Sequence, residues 1–238
     1  MRFCLAIVLL LACSNCNQPR IDLNVLKIEL KTEPTGDGLL ITKYILSPNE
    51  VELKEIISEF GSALSDDRLV ADLETEGLQV RRMDTVDVPA LIASIGTVCI
   101  HSSIWHGQIV QWRDLEQRQI PSSGLLISES GKSYFVDSGF LSLLARSWLV
   151  QRENDLFVYL QLLPSWHVPK VGGITLGLGS IAKQSTLFSN IEIEILLSEG
   201  EALVLASELS LVSSSNGPQI EGPMPVRLGE ALLGGNGE

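Results

Sequence analysis

Positive charge is scarce in this chain of 238 residues. Lys and Arg number 17 against 29 Asp and Glu, a net charge of −12. Nucleic acid, whose phosphates demand clustered cations, is therefore not an expected partner. Charged residues make up only 19% and apolar residues 45%, which excludes a largely disordered chain. No uninterrupted apolar stretch reaches the roughly 20 residues of a transmembrane helix. Histidine occurs three times, at His101, His106 and His167. The first two flank Trp105 without an HExxH pattern or a third ligand at suitable spacing, so no metal centre is expected. The four cysteines, Cys4, Cys13, Cys16 and Cys99, form no paired CxxC and are too few for a disulfide framework. Gly177-Leu178-Gly179 lacks the Lys-Ser/Thr of a phosphate loop. No cofactor is expected.

The N-terminus carries the clearest signal. Met1-Arg2 precedes the unbroken apolar run Phe3-Cys4-Leu5-Ala6-Ile7-Val8-Leu9-Leu10-Leu11-Ala12, the layout of a secretory signal peptide. The run ends Leu10-Leu11-Ala12-Cys13, with Leu three residues before a Cys and a small residue just before it. This resembles the lipobox of bacterial lipoproteins. The resemblance implies that residues 1–12 are removed and that Cys13, acylated, becomes the first residue of a membrane-tethered protein. Two or three buried acyl chains, at about 0.8 kcal/mol per CH₂, anchor firmly. An ordinary signal peptide cut near Ser14 is the other reading. Ser14, where family members kept in the inner membrane often carry Asp, implies the outer membrane and the periplasmic face of a bacterial envelope. Cys99, in Thr97-Val98-Cys99-Ile100, is read as a small buried hydrophobe.

Residues 13–20 are polar and read as a lipidated tether. Residues 21–30 alternate nearly perfectly and, through the turn cluster Pro34-Thr35-Gly36-Asp37-Gly38, suggest a hairpin with 39–46. The period then turns helical. Asn49 is placed to cap a helix through Leu64, and Ser65 or Asp66 a second one ending at Gly77. Strand 78–82, a helix over 88–95 with Pro89 in its first turn, and strand 97–100 follow. Residues 21–103 therefore read as a small α+β unit. From 104 to 212 strands dominate: 108–112, 124–128, 132–136, 141–150, 156–163, 190–197 and 202–209, with an irregular loop over 164–183. Residues 213–238, rich in Ser, Asn, Gly and Pro, read as a disordered tail. The fold class is α+β, mostly β: the N-terminal unit followed by an antiparallel β-sandwich or curled sheet.

Candidate chemistry is sparse. Tyr134-Phe135-Val136-Asp137-Ser138-Gly139 resembles the apolar-Asp-Ser/Thr-Gly motif of retropepsin-like aspartic proteases. The resemblance implies a dimer in which Asp137 shares a proton with its symmetry mate. A plain turn between two strands accounts for the same residues. Trp105, Trp112, Trp148 and Trp166 are read as core or sheet-packing anchors, with no acidic pair at recognisable spacing to make a sugar platform. Residues 184–238 hold eight Glu and one Arg, a solvated face or an acidic surface for a basic partner.

Two wider likenesses complete the reading. The run from Glu192 through Glu199-Gly200-Glu201 to Ala206 resembles a strand-turn-strand near the ends of secretin-type outer-membrane channels. The whole layout, lipobox then Leu73-Glu74-Thr75-Glu76-Gly77-Leu78 then a β-rich end, is similar to uncharacterised envelope lipoproteins. The expected function is a lipid-anchored, non-enzymatic binding or scaffolding role. Its partners are the membrane, through the lipid, and an envelope protein. The dimeric aspartic protease using Asp137 is the alternative.

Overall fold

The apolar N-terminal run forms a strand. In the computed structural model, which describes residues 4–12, 38–46, 53–95, 98–168, 185–207 and 225–233, the elements follow in this order. They are β1 (Cys4–Ala12), β2 (Gly38–Leu46), α1 (Leu53–Glu59), α2 (Asp67–Thr75), β3 (Leu78–Asp84), α3 (Val88–Ile95) and β4 (Val98–Trp105). Then come β5 (Ile109–Gln119), β6 (Leu125–Glu129), β7 (Lys132–Val136), β8 (Phe140–Arg152) and β9 (Asp155–His167). The chain closes with β10 (Ser185–Leu187), β11 (Ile193–Leu197), β12 (Glu201–Ser207), β13 (Val226–Arg227) and α4 (Leu228–Leu233). The fold is mostly β, with few helices and several largely antiparallel sheets.

The first sheet runs β3-β12-β1-β2-β4. β1 is parallel to both neighbours, with Ala6 opposite Ala202 on one side and Leu40 on the other. Parallel strands inside a sheet covered on both faces are continuously apolar, and β1 has that composition. One face of this sheet presents Tyr44, Ala202, Val204 and Ala206 to α1 and α3, through Ile57, Leu91, Ile92 and Ile95. The other presents Leu39, Ile41, Leu203 and Leu205 to a second β layer. That layer contains the antiparallel sheet β10-β9-β8-β5, with β11 also on β9, and the small sheet β13-β6-β7. The described residues thus stack as α1 and α3, then the mixed sheet, then the second β layer, with α2 and α4 adding to the core on the second layer's side of the sheet.

Local rules account for several boundaries. Asp66 caps α2, its carboxylate accepting from Arg68 N at 3.0 Å and Leu69 N at 3.1 Å. Gly77, at φ +76°, ends α2 as expected of a C′ glycine. α1 stops at Glu59, short of the expected Leu64. The chain turns at Gly61 (φ +73°) so that Ser62 can bridge to Arg82 and cover the outer edge of β3. α3 and β7 have their expected limits.

Four expectations give way to longer-range pairing. β2 has both edges filled, by β1 and β4, so it makes no hairpin with 21–30, which lies outside the described residues. β12 comes from the C-terminal half yet lies between β3 and β1. The first sheet therefore draws on both expected units, and residue 103 is not a boundary. The strands on either side of Glu199-Gly200 are not a hairpin: β11 pairs with β9 and β12 with β3 and β1. Finally, residues 225–233, expected in a disordered tail, contribute β13 and a buried α4 whose Leu228, Leu232 and Leu233 join the core.

Candidate functional site

The long hairpin β8–β9 pairs in register from Phe140–His167 to Arg152–Asp155. Its alternation turns Leu141, Leu143, Ala145, Val158, Leu160 and Leu162 into the core. The intervening residues occupy the opposite face. There Arg146 stands opposite Gln161, which stands opposite Glu194 of β11, and Trp148 stands opposite Tyr159. Neighbouring strands thus assemble two cross-strand rows of polar and aromatic side chains.

The rows are tightly connected. The Arg146 guanidinium lies 4.7 Å from the Trp112 ring centre and 5.5 Å from that of Trp148. Trp148 packs on Tyr159 with ring centres 4.6 Å apart. Gln161, 4% exposed, is the hub. Its amide oxygen accepts from Arg146 Nε, and its amide nitrogen donates to Glu192 and, at 2.7 Å, to Glu194 Oε1. Burial, and next the Glu194 carboxylate that accepts from its hydroxyl, hold the Tyr159 phenol above its ordinary pKa. Trp112, Arg146, Trp148, Tyr159 and Glu192 are half-buried and Glu194 is exposed. The face thus offers aromatic surface, fixed acceptors and fixed donors to a ligand arriving from solvent.

A second cluster lies at the junction of α2, the β6–β7 turn and α4. Glu76 and Glu129 are 3% and 4% exposed. Glu76 accepts from Ser130 N at 2.7 Å and Glu129 from Asn190 Nδ2 at 2.9 Å. Burial pushes the Glu76 carboxyl above the usual range, with Glu129 adding to the push, against the Ser130 N–H and Arg227. Arg227 bonds to Glu230, and Gly229 N donates to the Glu76 carbonyl at 2.7 Å. The groups are inward-facing and mutually bonded. They hold the C-terminal segment down.

The residues singled out in the sequence are scattered. Cys13, Cys16 and Gly177 lie outside the described residues. Asp137 is exposed in the turn from β7 to β8, and Ser138 Oγ donates to its carboxylate at 3.3 Å. Gly139 (φ +104°) and the bond from Trp166 Nε1 to Ser138 O at 2.9 Å shape that turn. The three histidines do not meet. His101 lies 5.0 Å from the Tyr44 ring, His167 lies 5.9 Å from the Phe140 ring, and His106 follows β4. Burial lowers the pKa of His101 and His106, with Arg113 adding to the effect at His106. Among the described residues no cluster of His, Cys, Asp and Glu could hold a metal ion. No described helix is long and apolar enough to cross a membrane.

Sequence reasoning read Trp112 and Trp148 as packing anchors and found no acidic pair beside them. The structure supplies one, Glu192 and Glu194, through Gln161. The available signal was the alternation itself, which puts Tyr159 with Gln161 and Glu192 with Glu194 on common faces. No protein-family model, curated protein or solved structure matches the chain.

Proposed function

We propose that the chain is a lipid-anchored protein of a bacterial envelope, held at the periplasmic face of the outer membrane through Cys13. Its role is binding or scaffolding rather than catalysis. The observation that carries the anchor is Leu10-Leu11-Ala12-Cys13 after an apolar run with one leading Arg. The binding surface is the outer face of β8, β9 and β11 with Trp112. Tethering concentrates that face at the membrane, so modest contacts suffice.

The place of β1 favours a second reading, in which Cys4–Ala12 stays with the chain as the central strand of the first sheet. Processing before Cys13 would remove that strand and leave β2 and β12 facing each other across its place. Labelling with radioactive palmitate, together with the intact mass of the chain, separates the two. An acylated chain starting at Cys13, with label lost in Cys13→Ser, supports the anchor. An unlabelled chain retaining residues 4–12 overturns it. The protease alternative is tested by Asp137→Asn in a knockout rescue: undiminished function ends it, in keeping with the exposed turn that Asp137 occupies.

A further inference from the structure

The outer face of the β8–β9 hairpin has already satisfied its own charges. Arg146 fills the position between the Trp112 and Trp148 indoles that a partner's Lys or Arg would take. Gln161 ties Arg146 to both carboxylates. What remains open is of another kind. Three aromatic rings are half-exposed. Neither the Trp112 nor the Trp148 indole N–H has a hydrogen-bond partner among the described residues. The carboxylates keep lone pairs beyond those that Gln161 and, at Glu194, the Tyr159 hydroxyl use. Aromatic surface beside unspent donors and acceptors complements a sugar ring, whose C–H face packs on an arene and whose rim is dense with hydroxyls.

We propose that the face built by Trp112, Trp148, Tyr159, Glu192 and Glu194 binds an uncharged glycan chain. This deepens the binding role above and rests on that face being the binding surface. Glu192 and Glu194 accept from sugar hydroxyls and repel anionic polysaccharides. Arg146 and Gln161 position the indoles and carboxylates before the ligand arrives, which lowers the ordering cost of binding. The platform stands on paired strands, so its spacing is fixed by the sheet.

The test is calorimetric titration of the purified full chain with neutral N-acetylglucosamine oligosaccharides, with polygalacturonate, and with a polylysine peptide. The expected result is saturable binding of the neutral oligosaccharide alone. Trp148→Ala should weaken it about tenfold or more, the loss typical of one central aromatic contact. Should Trp148→Ala fail to fold, Glu194→Gln, at an exposed position, and Trp112→Phe should each weaken binding in a folded chain. Trp105→Phe, on β4, should leave it unchanged. Neutral oligosaccharide binding that all the face variants retain overturns the proposal. Binding of polylysine alone, lost in those variants, overturns the glycan and keeps the face as a binding surface. Binding of none of the three overturns both. Each result is read independently of whether Cys13 carries lipid.

Discussion

Replacing Gly229 by Ala sets two effects of opposite sign against each other. Gly229 lies in α4, where Ala is favoured over Gly by about 1 kcal/mol on propensity alone. The packing argues the reverse. An added Cβ would sit 2.6 Å from the Glu76 carbonyl oxygen, 2.6 Å from Leu78 Cγ and 2.8 Å from the Gly77 carbonyl carbon. Two of those three atoms are backbone and cannot swing aside. Relief requires α4 to lift, which stretches the bond from Gly229 N to Glu76 O. Local overpacking of this kind costs about 1–3 kcal/mol. Full release of the buried Leu228, Leu232 and Leu233, at roughly 1.5–3 kcal/mol each, sets the ceiling. Because two of the clashing atoms are backbone, the overpacking cost falls at the upper end of its range, and with the propensity gain of about 1 kcal/mol set against it the expected net loss is about 2 kcal/mol. At roughly 2–4 °C per kcal/mol for a chain of this size, Tm should fall by about 4–8 °C. Urea denaturation should show a lower midpoint with an unchanged slope, and limited proteolysis should open sites near residue 225. A variant as stable as the parent or more so, with the same cleavage pattern, would refute the docking argument.

Other outcomes follow from named groups. Because the folded state raises the Glu76 pKa, that group's contribution is fully present below the ordinary carboxylate range and is lost as pH rises through the folded value. Glu76→Gln, which can still accept from Ser130 N, should be more stable than the parent at pH 7 and show a flatter fall in urea midpoint between pH 4 and 8; equal pH slopes would contradict this. At Glu201, burial works against ionisation, but Arg82 and the Ser198 N–H outweigh it and lower the pKa. Its contribution is present at neutral pH and lost on acidification, so Glu201→Gln should cost about 1 kcal/mol at pH 7 and little at pH 3. Gln161→Leu removes the hub of the outer face. Its charged partners can turn to water, so a loss of about 2 kcal/mol is expected, with altered tryptophan emission; no change in either would show that the network does not act as one.

Strands and helices were legible where the pattern is local. The alternation of β9, the Asp66 cap, Gly77 at C′ and Pro89 at the head of α3 all arise from neighbours in sequence. Pairing was not legible, because it is decided between residues far apart. Nothing in Glu201–Ser207 shows that it belongs between β3 and β1 rather than with β11, since a buried strand reads the same in either sheet. The N-terminal run was ambiguous in kind. A short apolar segment suits the core of a secretion signal and also a strand covered on both faces. α4 was missed because its few apolar residues are surrounded by glycines and gain their burial from strands distant in sequence, β1 and β12 of the first sheet and β5, β6 and β8 of the second layer. Of the candidate face, the two indoles and two carboxylates were visible singly. Their meeting depends on register across four strands, β5, β8, β9 and β11, and Gln161, which joins them, has no distinguishing pattern of its own.

The first sheet closes in an order that synthesis controls. β1 leaves the ribosome first, yet one of its two neighbours is β12, encoded near the other end of the chain. At a translation rate of about 5–20 residues per second, roughly 10–40 seconds pass before that partner exists. Throughout that interval the apolar N-terminus has at most one flank covered. Once β12 arrives, the strand has a partner along both edges. Under the anchoring proposal, targeting must therefore outpace elongation; under the second reading, the segment waits for its last neighbour.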